Sequence, residues 1–119
     1  INSVTSTGIP PITFTPGCFF CSDSVLTVAT LEASLLSNNV VVQTNGSFGP
    51  SLGNITVDSE VKWTKNSSLT LQAENNIVLT KGLNGGTLGS IILTADSDSN
   101  NTGSISGAGL LTANTITLN

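Results

Sequence analysis

Four stretches of the chain repeat one pattern: Val40-Val41-Val42-Gln43-Thr44, Leu69-Thr70-Leu71-Gln72-Ala73, Ile91-Ile92-Leu93-Thr94-Ala95 and Ile116-Thr117-Leu118. Each follows an Asn, Ser or Thr. An extended backbone sends successive side chains to opposite faces, so alternate positions share a face. The inward columns are then Val40/Leu69/Ile91/Ile116 and Val42/Leu71/Leu93/Leu118, with Thr44/Ala73/Ala95 as a smaller third. The residues between them, mostly Thr and Gln, face outward. The repeats start 29, 22 and 25 residues apart, so the strand phase is kept while the linking lengths vary.

Two further registers run through the same units. Leu26/Ile55/Ile77/Ile105 leads into Val28/Val57/Leu79/Gly107, and Val61, Leu83 and Leu111 stand six residues beyond Ile55, Ile77 and Ile105. Between the apolar segments lie Asn45–Gly53, Lys65–Ser67, Glu74–Asn75, Asn84–Gly89 and Asp96–Gly103. Their Gly, Asn and Asp tolerate positive φ, which marks corners and loops. Three short strands per unit of about 25 residues predict an all-β chain. The expected architecture is a parallel β-helix, or solenoid, of roughly four coils, each lying on the last at ~4.8 Å. A buried Leu, Ile or Val contributes roughly 1.5–3 kcal/mol, but only where its column continues into the next coil. A hairpin sandwich comes second, because it needs strands of opposite direction and turns of about two to five residues.

The chain has 119 residues and a mass of 12.1 kDa, which fits one domain. Ser, Thr, Asn and Gly occupy 58 positions, and these are the residues that outer ladders and corners require. Charged residues are 8%, against about 25% in an ordinary globular domain, which suits faces where like residues sit one strand spacing apart. Mean hydropathy is +0.28, so there is enough apolar surface to offset the entropy of ordering. There is no His, which removes Ser-His and Cys-His nucleophile pairs, the H-E-x-x-H zinc site and an imidazole switch. With no Arg, a net charge of −4 and a pI near 4.1, the chain has no basic surface for nucleic acid or an anionic membrane. Its longest apolar runs, 26–36 and 39–42, fall short of the roughly 20 residues of a membrane span, so no membrane insertion is expected. The sequence starts at Ile1, which fits a processed product or a piece of a longer polypeptide.

From about Cys18 to Asn119 the chain resembles the repeats of filamentous haemagglutinin-like exoproteins, the β-helical adhesins that bacteria secrete by the two-partner route. The matching stretches are Val28-x-x-Leu31-x-x-x-Leu35 with Asn39-Val40-Val41-Val42-Gln43-Thr44, then Gly53-Asn54-Ile55-Thr56-Val57 and Val61-Lys62-Trp63. Leu69-Thr70-Leu71-x-Ala73 and Asn75-Asn76-Ile77 complete them. The resemblance implies a right-handed β-helix on the bacterial cell surface, and it carries no catalytic residues.

Residues 1–24 depart from the repeat, with Pro10, Pro11 and Pro16 interrupting any continuous ladder. They read as an extension or cap lying across the β-helix domain of residues 25–119. In Thr30–Ser37, Leu31 and Leu35 are one helical turn apart and Thr30 is a candidate N-cap, so a short helix precedes the first complete coil. Cys18-Phe19-Phe20-Cys21 could be a redox pair, half a zinc site or a disulfide. Zinc needs four ligands and redox chemistry a βαβ setting; the oxidising compartment implied by the resemblance favours a Cys18–Cys21 disulfide.

Asp96, Asp98 and Asn100 alternate like calcium-loop ligands, but Asn101 stands at the EF-hand glycine position and Gly107 at its closing Glu. A solvated turn is the simpler reading, with weak calcium binding as the alternative. The sequons at Asn45, Asn54, Asn66 and Asn100 are no more frequent than this composition produces by chance. Asp58 and Glu60, with Glu32 and Glu74, offer the carboxylates of a polysaccharide-cleaving β-helix, though with no Arg or Tyr beside them. Trp63 reads as a core residue, or else as a platform for a sugar.

The expected function is therefore an extracellular structural or adhesive module, not an enzyme, with no cofactor. Its expected partners are further copies stacked head to tail in a filament, adjoining repeats of one long chain, or surface glycans. The alternative is a carbohydrate-binding or polysaccharide-cleaving β-helix. The last strand, Thr115–Asn119, has no charged edge after it, and an open strand edge invites pairing.

Overall fold

The structure is a computed structural model that describes residues 4–6, 12–16, 26–44, 54–96 and 103–119. In chain order the elements are β1 (Val4–Ser6), β2 (Ile12–Pro16), α1 (Val28–Leu35), β3 (Val40–Gln43), β4 (Ile55–Val57), β5 (Val61–Lys62), β6 (Ser68–Gln72), β7 (Ile77–Leu79), β8 (Leu83–Asn84), β9 (Ser90–Thr94), β10 (Ile105–Gly107), β11 (Leu111–Thr112) and β12 (Thr115–Leu118). They form three sheets. The long one runs β1-β2-β3-β6-β9-β12, a second β4-β7-β10, and a third β5-β8-β11. Every pairing is parallel except β1 with β2. Parallel neighbours need a long connection between them. Here each connection is made of strands of the other two sheets, since from β4 onward the chain visits the second, third and long sheets in the same order three times.

The pairing follows the sequence columns. Val40, Leu69, Ile91 and Ile116 are successive Cα partners, as are Val42, Leu71, Leu93 and Leu118. Ile55, Ile77 and Ile105 align in the second sheet, and Val61, Leu83 and Leu111 in the third. Alternation then buries one face: β6 and β9 both show a half-buried, buried, half-buried order along the strand. Leu69, Ile77, Ile91 and Leu93 are fully enclosed, with Val40, Leu71 and Leu83 beside them in one core. Val42, Ile55 and Ile105 are half-buried and pack against it.

Several expectations change. Leu26 and Val28 do not begin the second-sheet columns: Leu26 precedes α1 and Val28 opens it. Leu31 and Leu35, one turn apart, are both buried from a helix, which packs on β5 and β3. The N-cap is Thr27, not Thr30; its side chain accepts from the Thr30 N–H at 3.2 Å. Within residues 1–24, Ile12–Pro16 is not a crossing loop but a strand, paired Ile12 to Val40 and Phe14 to Val42. Its proline stands at the strand's end, where an interrupted ladder costs least. Ile116 and Leu118, placed in the core by sequence, are 43% and 58% exposed because no strand follows theirs in the sheet.

Polar side chains tie one circuit to the next at the corners. Asn39 Oδ1 accepts from the Ser68 N–H, Asn54 Oδ1 from the Asn76 N–H, and Asn76 Oδ1 from the Ser104 N–H, each at 2.9 Å. Ser104 Oγ adds a 3.3 Å contact to Asn76 Oδ1. These partners are 22 to 29 residues apart in the chain, yet one strand apart in space. Asn76→Ala removes the acceptor and is expected to cost about 1 kcal/mol, while Asn76→Asp keeps it and costs less. Urea-denaturation midpoints of the two variants would check this.

Trp63 fills the corner between β5 and β6. Its indole is 3% exposed, and Nε1 donates to the Ser67 carbonyl at 3.0 Å. The Ser67 hydroxyl donates in turn to the Leu35 carbonyl at 2.7 Å, joining this corner to the end of α1. A Cβ on Gly85 or Gly89 would collide with the indole, so the next circuit can lie on Trp63 only with glycine at these places. Gly107, in the Val57/Leu79 column, has φ +118, a region L side chains avoid, and a Cβ there would overlap the Leu79 carbonyl.

Candidate functional site

Among the described residues, the acidic side chains form no single cluster. Asp58 and Glu60 lie on the exposed link between β4 and β5 rather than on a strand, and Glu60 forms a 3.4 Å ion pair with Lys62. Both partners are at least half exposed, so the pair adds little stability. Glu32 is on α1, where its Oε2 accepts from the Lys62 N–H at 2.8 Å. Glu74 stands at the corner after β6, and its N–H donates to Thr44 Oγ1 at 2.9 Å. Among the described residues, no group of three or more His, Cys, Asp or Glu could hold a metal ion. No helix among them is long and apolar enough to cross a membrane.

The other motifs divide by location. Asp96 has φ 54, and its N–H donates to the Asn75 carbonyl at 3.1 Å, as a corner residue does. Asp98 and Asn100 lie outside the described residues, as do Cys18 and Cys21 and the sequons at Asn45 and Asn100. Asn54 uses its side-chain oxygen on Asn76, while Asn66 is exposed in a turn. The enclosed indole of Trp63 presents no face on which a sugar could stack.

What the fold does expose is one end of the stack. β10, β11 and β12 are each the last strand of their sheets. On or beside these strands, Leu110 is 76% exposed, Leu118 58% and Ile116 43%, while Ile105 and Leu111 are half-buried. Residues 103–119 include no charged side chain. Lysine, inward-pointing charge and proline are the usual guards of a strand edge, and residues 103–119 include none of them.

The opposite end is built differently. α1 packs on β5 and β3, burying Leu31 and Leu35. The Glu32 carboxylate occupies the edge N–H of Lys62 on β5, and the Ser67 hydroxyl satisfies a carbonyl at the end of the helix. In the long sheet, the antiparallel β1 lies outside β2 and forms that edge. Repetition of the columns was readable in the sequence; the difference between the two ends was not. The available signal was the helical spacing of Leu31 and Leu35 against the charge-free final circuit. No family model, curated protein or solved structure matches the chain.

Proposed function

We propose that the chain is a right-handed parallel β-helix that serves as a structural or adhesive module on the outside of a bacterial cell, as its resemblance to filamentous haemagglutinin-like exoproteins implies. The observation that carries this reading is the threefold passage through three sheets with the apolar columns in register. A molecule built this way spends its sequence on stacking: outward Thr and Gln, Asn corner ladders, and little charge. The scattered carboxylates lend no support to the polysaccharide-cleaving alternative. Antibodies raised against the chain are expected to label intact producer cells, and electron microscopy of the labelled material should show elongated surface structures. Labelling confined to lysed cells would overturn the proposal.

A further inference from the structure

Among the described residues, Asn84 is the one asparagine followed by a glycine. Glycine has no Cβ, so its backbone nitrogen can approach the side-chain amide of the residue before it without obstruction. We infer that Asn84 is a self-modification site, converted through a succinimide to aspartate and isoaspartate, and that the pairing of β8 with β5 and β11 gates the conversion.

The step balances within the chain and water. The Gly85 nitrogen gives its proton to hydroxide and bonds to Asn84 Cγ, while the Cγ–Nδ2 bond breaks and the amide nitrogen takes a proton from water and leaves as ammonia. Water then opens the ring. Cleavage at Cγ leaves aspartate; cleavage at the backbone carbonyl carbon leaves isoaspartate, with the chain now running through the side chain.

The fold itself calls for both members of the pair. A Cβ on Gly85 would lie 2.8 Å from Trp63 Cζ2, so the enclosed indole keeps residue 85 a glycine. Asn84 Oδ1 accepts from the Gly86 N–H at 2.9 Å, and Gly86 has φ +64, a tight turn to which asparagine supplies the acceptor. Seating Trp63 under the next circuit therefore creates a reactive pair.

The same fold holds that pair back. Attack requires the peptide unit between Asn84 and Gly85 to turn until its nitrogen faces Cγ. This unit is tied on both sides: the Asn84 carbonyl accepts from the Trp63 N–H at 3.0 Å, and the Gly85 N–H donates to the Thr112 carbonyl at 2.7 Å. Conversion thus proceeds from molecules in which this part of the third sheet has opened, and its rate follows their population. The two products differ in consequence. Aspartate keeps the acceptor for Gly86 and places its charge in register with Lys62. Isoaspartate adds a backbone carbon that shifts Gly85 away from Thr112 and Trp63, so the opened corner cannot close again.

Peptide mapping by mass spectrometry, on the whole chain held at mildly alkaline pH either folded or in guanidinium chloride, tests this. Mapping also separates Asn84 from the chain's other Asn-Gly pair, Asn45-Gly46, which lies outside the described residues. Asn84 is expected to convert in denaturant, and about tenfold or more slowly in the folded chain. Asn84→Gln, whose longer side chain closes the ring poorly, should suppress the reaction in both. The isoaspartate form, isolated by its added negative charge, should unfold at a lower denaturant concentration than the unmodified chain, while Asn84→Asp should unfold close to it. Equal rates in the folded and denatured chain, or no conversion of Asn84 in denaturant, would overturn the inference. Neither result bears on the surface-labelling test of the proposed function.

Discussion

Trp63→Ala is expected to lower the free energy of unfolding by about 3–5 kcal/mol, a large share of the roughly 5–15 kcal/mol a domain possesses. Three losses combine. The indole is 3% exposed, so its removal leaves a cavity among backbone atoms of Gly85 and Gly89 that cannot easily collapse. The Ser67 carbonyl loses the 3.0 Å bond from Nε1 inside a buried corner. Ser67 also anchors the Leu35 carbonyl, so loosening this corner loosens the seat of α1. Trp63→Phe keeps most of the volume but not the donor, and should cost about 1–3 kcal/mol. Because this is the chain's one tryptophan, unfolding should be followed by circular dichroism rather than fluorescence. A loss under about 1 kcal/mol for the alanine variant would show that the indole does not hold the corner.

Ile91→Asp and Ile116→Asp make the same change in one column, yet opposite outcomes are expected. Ile91 is fully enclosed between Leu69 and Ile116 in the ladder, so the aspartate would lose the apolar burial and place a carboxylate in an apolar column. That combination should leave no cooperative fold. Ile116 is 43% exposed on the last strand, and its aspartate can reach water. Its cost is expected to be about 1 kcal/mol or less. Far-UV circular dichroism with urea titration separates the two. Equal destabilisation would mean that the end of the stack is as enclosed as its middle.

Much of the fold was legible because stacking turns a one-dimensional repeat into a three-dimensional contact. The alternation in Val40–Gln43, Ser68–Gln72 and Ser90–Thr94 fixes which side chains share a face, and like residues at like phases then become Cα partners. Variable links between repeats do not disturb this, since they lie at corners. The legible part failed where a neighbour, not the pattern, decides the state. Leu26 and Val28 match the second-sheet columns, but the helical spacing that buries Leu31 and Leu35 takes Val28 into α1 instead. Ile12–Pro16 looks unfit for a ladder because of the prolines around it, yet the first edge of the long sheet is there to receive it.

The candidate surface was legible only in part. Sequence aligned Thr115–Leu118 with the earlier strands of the long sheet. It also placed Ile116 and Leu118 in the core, as their phase demands. Burial is not a property of phase alone: a side chain in the correct column needs cover on both sides, which a helix can give as well as a strand, as α1 does beside Val61 on β5.

The sequence by itself therefore determined the strand phases, the partner columns and the exclusion of imidazole chemistry, because these depend on residue identity and on a two-residue period. Only the tertiary structure decided that α1 packs on β5 and β3, and that Ile116 and Leu118 stand exposed on β12. It also decided that Trp63 is held by Ser67 and two glycines of the next circuit. Those outcomes depend on which edges and volumes remain once all the strands are placed, a quantity set by distant segments together and written in no single stretch of the chain.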